Sequence, residues 1–148
     1  MSCTEHIELE KEGYVISSDK KKLDHAMIHR FLTVSYWAEG RTLAEVSTSI
    51  ENAICFGVYR EETQVGFARV ITDHVTLAYL ADVFILPAHQ SKGLGKWLVH
   101  SILNVPLFKK NIFWLLLTQD AQWLYQQFGF RRFHCPEGVM TKYDPNNK

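Results

Sequence analysis

The apolar positions of this chain change period several times, and each change marks an element. Residues 14–17, Tyr-Val-Ile-Ser, have strand character. Leu23, Met27, Phe31 and Val34 then recur at the spacing of one helical face, with Ser18 and Asp19 ahead of them as candidate caps. Leu43, Val46 and Ile50 repeat that spacing behind Thr42 to Glu45, the T-x-x-E of a capping box. Residues 35–41 read as the loop between the two helices and carry two aromatics, Tyr36 and Trp37.

Strand patterning follows. Residues 53–59, 64–72 and 76–86 are rich in β-branched and aromatic side chains, and the short connections between them predict an antiparallel meander. Pro87 ends the third strand because it cannot donate to a ladder. Leu94, Trp97, Leu98 and Ile102 mark a helix that stops before Pro106, with the two tryptophans Trp97 and Trp114 read as core or partly covered surface. Residues 112–118, apolar on both faces, predict a buried central strand. Asp120 can cap a fourth helix with Ala121, Leu124, Tyr125 and Phe128 inward and Gly129 at its C-terminal end. Residues 130–135 and 138–143 predict two last strands. The succession is strand, two helices, three strands, helix, strand, helix, two strands. It implies one α/β domain over residues 1–148 with a mixed central sheet, an antiparallel meander joined to a parallel pair, flanked by about four helices.

Composition narrows the function more than the fold. Of 148 residues, 47% are hydrophobic and 22% charged, as in soluble globular domains. The formal net charge of zero argues against the basic footprint of a nucleic-acid binder. The longest apolar run, Ile112 to Leu117, is too short to cross a membrane. The polar N-terminus does not read as a signal peptide, so a cytoplasmic location is expected. Cys3, Cys55 and Cys135 are odd in number and widely spaced, which predicts free thiols and not a disulfide framework or zinc site. His25 and His29 share a helical face but lack the glutamate of H-E-x-x-H and a third ligand, so a solvated pair or a substrate lip outweighs a metal site. No metal is expected.

The chemistry concentrates in residues 90–96, Gln-Ser-Lys-Gly-Leu-Gly-Lys. A Walker A loop fails at both ends, with Gln90 and Trp97 at its outer positions. A G-x-G-x-x-G loop fails at Leu98. The pattern [QR]-x-x-G-x-[GA] fits, after a strand ending Val83-x-Ile85-x-Pro87 and before a helix. Glycines let backbone N–H groups fan around a pyrophosphate, the helix N-terminus adds its dipole, and Lys92 and Lys96 add charge.

With residues 124–130, Leu-Tyr-Gln-Gln-Phe-Gly-Phe, about thirty residues later, this loop resembles the GCN5-related N-acetyltransferases, the GNAT superfamily. The resemblance spans about residues 14–142. It implies acetyl-CoA as cosubstrate and a primary amine as acceptor. It implies that Val83, Phe84 and Ile85 hold the pantetheine arm as a pseudo-strand. The N–H groups of Ser91, Lys92, Gly93, Leu94, Gly95 and Lys96 would hold the pyrophosphate, and Gln90, Thr118 and Phe128 would complete the cofactor site. Tyr125 would be the general acid, with Tyr36, Trp37 and Tyr79 lining the acceptor site. Tyr36 and Trp37 read equally as aromatics covering the sheet edge.

Two proton problems face such an enzyme. An alkylamine with pKa near 10.4 is free in about one molecule per thousand at pH 7, a handicap of roughly 4 kcal/mol. The leaving thiolate, conjugate-acid pKa near 8.5, gains from a donor. Where relatives place a base, this chain has Tyr79 and Ala81, and Asp82 points to the other face by strand parity, where it would bond local backbone. A base acting through water, or none, is the default. Three functions follow: an N-acetyltransferase of a small amine, a CoA-binding regulatory module without turnover, or an acetyltransferase of protein N-termini or lysines. Self-association as a homodimer stays open.

Overall fold

The computed structural model describes residues 6–143. Cys3 and both ends of the predicted 1–148 domain lie outside the described residues. The chain divides into two compact units, Met1–Leu117 and Thr118–Lys148.

The first unit holds a six-stranded sheet: β1 (Glu8–Lys11), β2 (Tyr14–Ser17), β3 (Ile54–Arg60), β4 (Thr63–Thr72), β5 (Leu77–Ile85) and β6 (Phe113–Leu115). Strand order across the sheet equals chain order. The pairs from β1 to β5 are antiparallel, whereas β5 and β6 are parallel. Three helices accompany the sheet: α1 (His25–Leu32), α2 (Leu43–Glu51) and α3 (Leu94–Asn104). The α/β class, the mixed sheet and the meander are as the sequence implies.

Consecutive residues of β3 and β4 are buried, so both sheet faces are covered. Leu23, Met27, Ile28 and Leu32 join Val46 and Ile50 in a core on Cys55, Phe67 and Phe84. Phe31 stacks on Phe84, ring centroids 3.9 Å apart. No residue of α3 belongs to that core. It packs against β5 and buries Leu94, Leu98, Val99 and Ile102. Tyr59 lies across Gly57, where a Cβ would stand 2.4 Å from the tyrosine oxygen. That oxygen is the one buried side-chain polar atom without a hydrogen-bond partner among the described residues.

Several expectations are corrected. The first strand, β1, has no signature in the sequence, because all four of its side chains are exposed and only its ladder to β2 defines it. The first long helix starts later than its apolar spacing suggests. Asp24 caps it, accepting from Met27 N at 3.0 Å. Asp19 instead caps a single 3₁₀ turn at Lys20–Lys22, and Ser18 Oγ accepts from Ile7 N at 2.8 Å. Val34 falls past the helix end and is exposed. The capping box of α2 forms as read, with Glu45 N to Thr42 Oγ1 at 3.1 Å and Thr42 N to Glu45 Oε1 at 2.9 Å. The run 112–118 is not a central strand: β6 has three residues, stands at the sheet edge and leaves Phe113 about half exposed.

The second unit contains α4 (Gln122–Gln126) and one 3₁₀ turn, Pro136–Gly138. Ala121, not Asp120, occupies the cap position of α4, and its N–H is taken by Thr118 Oγ1 at 3.0 Å. Gly129 has φ +92, the left-handed conformation expected after a helix. The two last strands do not form among the described residues. Strand preference needs a half-buried surface to pack on, and Val139, Met140 and Tyr143 are exposed.

Candidate functional site

The two edges of β5 are used unequally. One is laddered to β4. The other meets β6 only at Leu77↔Phe113, Ala78↔Trp114 and Tyr79↔Leu115. From Leu80 to Ile85 that edge has no strand partner among the described residues. Main-chain groups of successive residues point to alternate edges. Leu86 N donates to Val65 O at 2.8 Å, so Phe84 also faces β4, while Val83 and Ile85 face the open edge. The Ile85 carbonyl is taken by Gln90 Nε2 at 2.8 Å. The N–H and C=O of Val83 and the N–H of Ile85 therefore remain for an extended, amide-bearing ligand to add as one more strand. Of the three residues whose main chain was assigned to this role by sequence, Phe84 turns its main-chain groups to β4 and its ring into the core.

The open edge leads into the glycine loop. A 3₁₀ turn at Pro87–His89 comes first, and His89 Nδ1 lies 2.9 Å from Tyr14 Oη. The Arg60 guanidinium sits 4.8 Å over the Tyr14 ring, which ties the turn to the neighbouring strands. Sequence reading missed this anchor, since its members lie far apart in the chain. Gln90 fastens the loop through its bond to Ile85 and does not face outward with a free amide.

Ser91 at φ +65 and Gly93 at φ +79 are left-handed, a backbone alternation that turns neighbouring N–H groups toward a common centre. Gly93 caps α3 without a side-chain acceptor, and the first turn holds no acidic residue. The first intrahelical donor is Trp97 N, bonded to Gly93 O at 3.0 Å. Among the described residues the N–H groups of Leu94, Gly95 and Lys96 thus end the helix without a partner, beside its positive dipole end. Lys92 and Lys96 are exposed around them.

Gly95 is the telling position. Its φ is not positive, and an added Cβ would meet no atom of the other described residues within 4 Å beyond its chain neighbours and its own helix. Neither backbone conformation nor packing within the protein requires glycine there. What a side chain would fill is open space in front of unpaired N–H groups, room for a pyrophosphate to approach. The residues present fit the phosphate and amide parts of coenzyme A.

On the α1–α2 face of the sheet lies a polar cluster that the sequence only half revealed. A bulge interrupts the β4–β5 register between Phe67 and Arg69, and Asp82 takes φ +55. This breaks the alternation along β5. Arg69 stands opposite Ala81 and so shares its face. Asp82, assigned by parity to the reverse side and to backbone partners, reaches that same face. Its Oδ2 accepts from Arg69 Nε at 2.5 Å and Arg41 Nη1 at 2.8 Å, and its Oδ1 from Trp37 Nε1 at 2.9 Å. A carboxylate held by three donors is not offered as a base. Its signal in the sequence was Arg69, a charge set inside an apolar strand.

Tyr79, two residues before Ala81, lies on the same face and is half-buried. Burial first, then the Asp82 charge, pushes its phenol pKa up, so it stays a protonated donor. Tyr36 and Trp37 are both partly exposed, stacked edge to face at 5.2 Å, and the bond to Asp82 fixes the indole. Trp37 is therefore a fixed wall beside the cluster.

The remaining candidates lie elsewhere. His25 Nδ1 is 2.9 Å from Ser47 Oγ, a link between α1 and α2. No group of three or more His, Cys, Asp or Glu side chains able to hold a metal ion occurs among the described residues. Cys55 and Cys135 are free thiols, and burial pushes the Cys55 thiol up to about 11. Trp97 and Trp114 are partly covered. In the second unit, Tyr125 is buried on α4 with its ring edge to face with Phe130 at 5.8 Å. Phe128 is partly covered, and Thr118 serves the turn into α4.

A model of the acetyltransferase (GNAT) domain matches residues 51–132, from the end of α2 to beyond α4. A Gibberella zeae protein assigned as an acetyltransferase is 34% identical over 154 residues, covering 85% of each chain. The GCN5-related N-acetyltransferase 2 of Arabidopsis thaliana is 35% identical over 82 residues, 54% of this chain and 31% of that one. A crystal structure from Xanthomonas campestris, of a protein assigned to the GNAT family, superposes with TM-score 0.87 at 38% identity, over 90% of this chain and 95% of that one.

Proposed function

Since the chain belongs to the GNAT family of acetyltransferases, we propose that it transfers the acetyl group of acetyl-CoA to a primary amine of a small molecule, by direct attack in a ternary complex. The observation that carries this reading is the early end of the β5–β6 ladder at Tyr79↔Leu115. It leaves a strand edge free for the pantetheine amides, and that edge runs straight into the loop of unpaired N–H groups at Gly93–Lys96. Acetyl-CoA, when bound, supplies an activated thioester.

The chain's own residues then have separable tasks. Val83 and Ile85 align the arm through the main chain. The N–H groups of α3 and Lys92 and Lys96 neutralise the pyrophosphate. Main-chain N–H groups where β5 and β6 part can stabilise an oxyanion. Asp82 is engaged by its three donors and Tyr79 is protonated, so the acceptor ammonium loses its proton to water on the way in. By the family resemblance, Tyr125 gives a proton to the departing thiolate.

Coenzyme A should raise the melting temperature while ATP and NAD should not, by about 2.7 kcal/mol of stabilisation at a hundredfold excess over Kd. Turnover of acetyl-CoA should accelerate with amines in a panel. Equal shifts with ATP overturn the loop assignment. A CoA shift with no amine-dependent turnover favours the second reading, a CoA-binding regulatory module. The lack of a free carboxylate base in the Asp82 cluster is the observation on its side.

A further inference from the structure

Two guanidinium groups face one carboxylate in the Asp82 cluster. The side chains are 2% exposed at Asp82, 11% at Arg69 and 23% at Arg41. Each guanidinium carries five N–H donors and spends one on Asp82. The remaining donors have no partner among the described residues. They are not sealed in, since Tyr59 Oη is the only buried side-chain polar atom left unpartnered there. Glu45 lies near enough to feel Arg41, but its carboxylate is committed to the capping box of α2. The cluster therefore holds a surplus positive charge that is largely withdrawn from water and still open on one side. Such a charge is costly without an anion.

The surface beside it changes character within a few residues. Arg69 stands opposite Ala81, and Tyr79 and Ile71 come next on the same face. Leu77, Phe113 and Leu115 follow through the parallel ladder, with Ile71, Leu77 and Phe113 exposed. Tyr79 has a free phenol hydroxyl among the described residues. The strip is cationic at one end and apolar at the other, and the ladder opens between them. From Tyr79, where pairing stops, to Asp82 is three residues, roughly 10 Å of strand. An acceptor that presents its amine to that opening and a carboxylate to the arginines spans no more than this.

We infer that the acceptor is an amine that also carries a carboxylate, an amino acid with an apolar side chain, and that Arg41 and Arg69 bind its carboxylate while Asp82 and Trp37 hold the two guanidinium groups in place. The single surplus charge matches a monoanion, and the planar fork of guanidinium matches a carboxylate. The inference rests on the acetyltransferase reading and names the acceptor of that same site.

The test compares an apolar amino acid, its primary amide and its decarboxylated amine, with phosphoethanolamine as a second anion. The free acid should be acetylated with roughly 100-fold higher kcat/KM than its amide. That direction runs against amine basicity, because amidation releases more free amine. In Arg41→Gln the ratio of acid to amide should fall toward one, with the CoA-dependent melting shift confirming a folded protein. Calorimetric titration of the free acid into CoA-loaded protein should show binding that the amide lacks. Equal kcat/KM for acid and amide overturns the inference and leaves the transferase standing, as does preference for phosphoethanolamine. An unchanged ratio in Arg41→Gln overturns the arginine assignment. No turnover with any amine, despite a CoA shift, defeats the transferase reading and this inference together.

Discussion

Replacing Gly95 by alanine should make the free protein more stable and the coenzyme complex weaker. Gly95 lies in the first turn of α3 with no positive φ, and its Cβ would touch nothing within 4 Å. Alanine there restricts the unfolded chain and suits the helix, a gain of about 0.5–1 kcal/mol. For a chain of this size that is about 1–4 °C in melting temperature. The added methyl group stands in front of the unpaired N–H groups of the loop, so coenzyme A should bind about 10-fold or more weakly, a loss of about 1.4 kcal/mol or more. Gly93 supplies the contrast. At φ +79 an alanine is strained by about 1–2 kcal/mol, so Gly93→Ala should lose both stability and affinity. The assay is a thermal scan with and without coenzyme A, followed by calorimetric titration. A lower melting temperature for free Gly95→Ala would show that the position is packed. Unchanged affinity would show that its openness serves no ligand, and the loop assignment would fall with it.

Tyr125→Phe should keep the fold and coenzyme binding but lose about 10- to 1000-fold in kcat, with KM for acetyl-CoA nearly constant; normal turnover would return Tyr125 to a packing role. Tyr59→Phe removes a buried hydroxyl that has no partner among the described residues and should raise stability by about 1 kcal/mol in chemical denaturation; a loss of that size would reveal a hidden partner. The Cys55 thiol has its pKa raised by burial to about 11, so the folded state favours the neutral form. Stability from this group is whole below the unfolded thiol value near 8.5–9 and is lost as pH climbs to about 11, a fall of about 3 kcal/mol. Cys55→Ala should flatten that part of the curve, and an identical slope in both proteins would contradict the assignment.

The meander and the glycine loop were legible because they depend on local rules. Strand content, turn spacing and Pro87 fixed β3, β4 and β5 to within a residue or two, and Thr42 with Glu45 marked α2. The failures share a cause in long-range context. The apolar run 112–118 carries no sign of whether one or two strands will flank it, so its pattern does not separate an edge strand from a central one. The segment β1 has no buried side chain to set a period and exists through its backbone ladder alone. At the site, parity misplaced Asp82 because a bulge is invisible to a rule that counts by twos. Its three partners come from residues 37, 41 and 69, which no local window brings together.

The agreement between strand order and chain order also bears on assembly. Every ladder joins strands consecutive in the sequence, so each can close before the next emerges from synthesis, and chain entropy is lost in modest steps. The parallel closure of β5 with β6 comes last, since it waits for α3 to form. Three residue pairs are all that closure contributes, little to reward a nucleus. We therefore expect kinetic φ-values near zero at Phe113 and Leu115 and higher ones in β3 and β4. The core would then fold ahead of the opening between β5 and β6, so selection could reshape that opening without first risking the rate at which the protein folds.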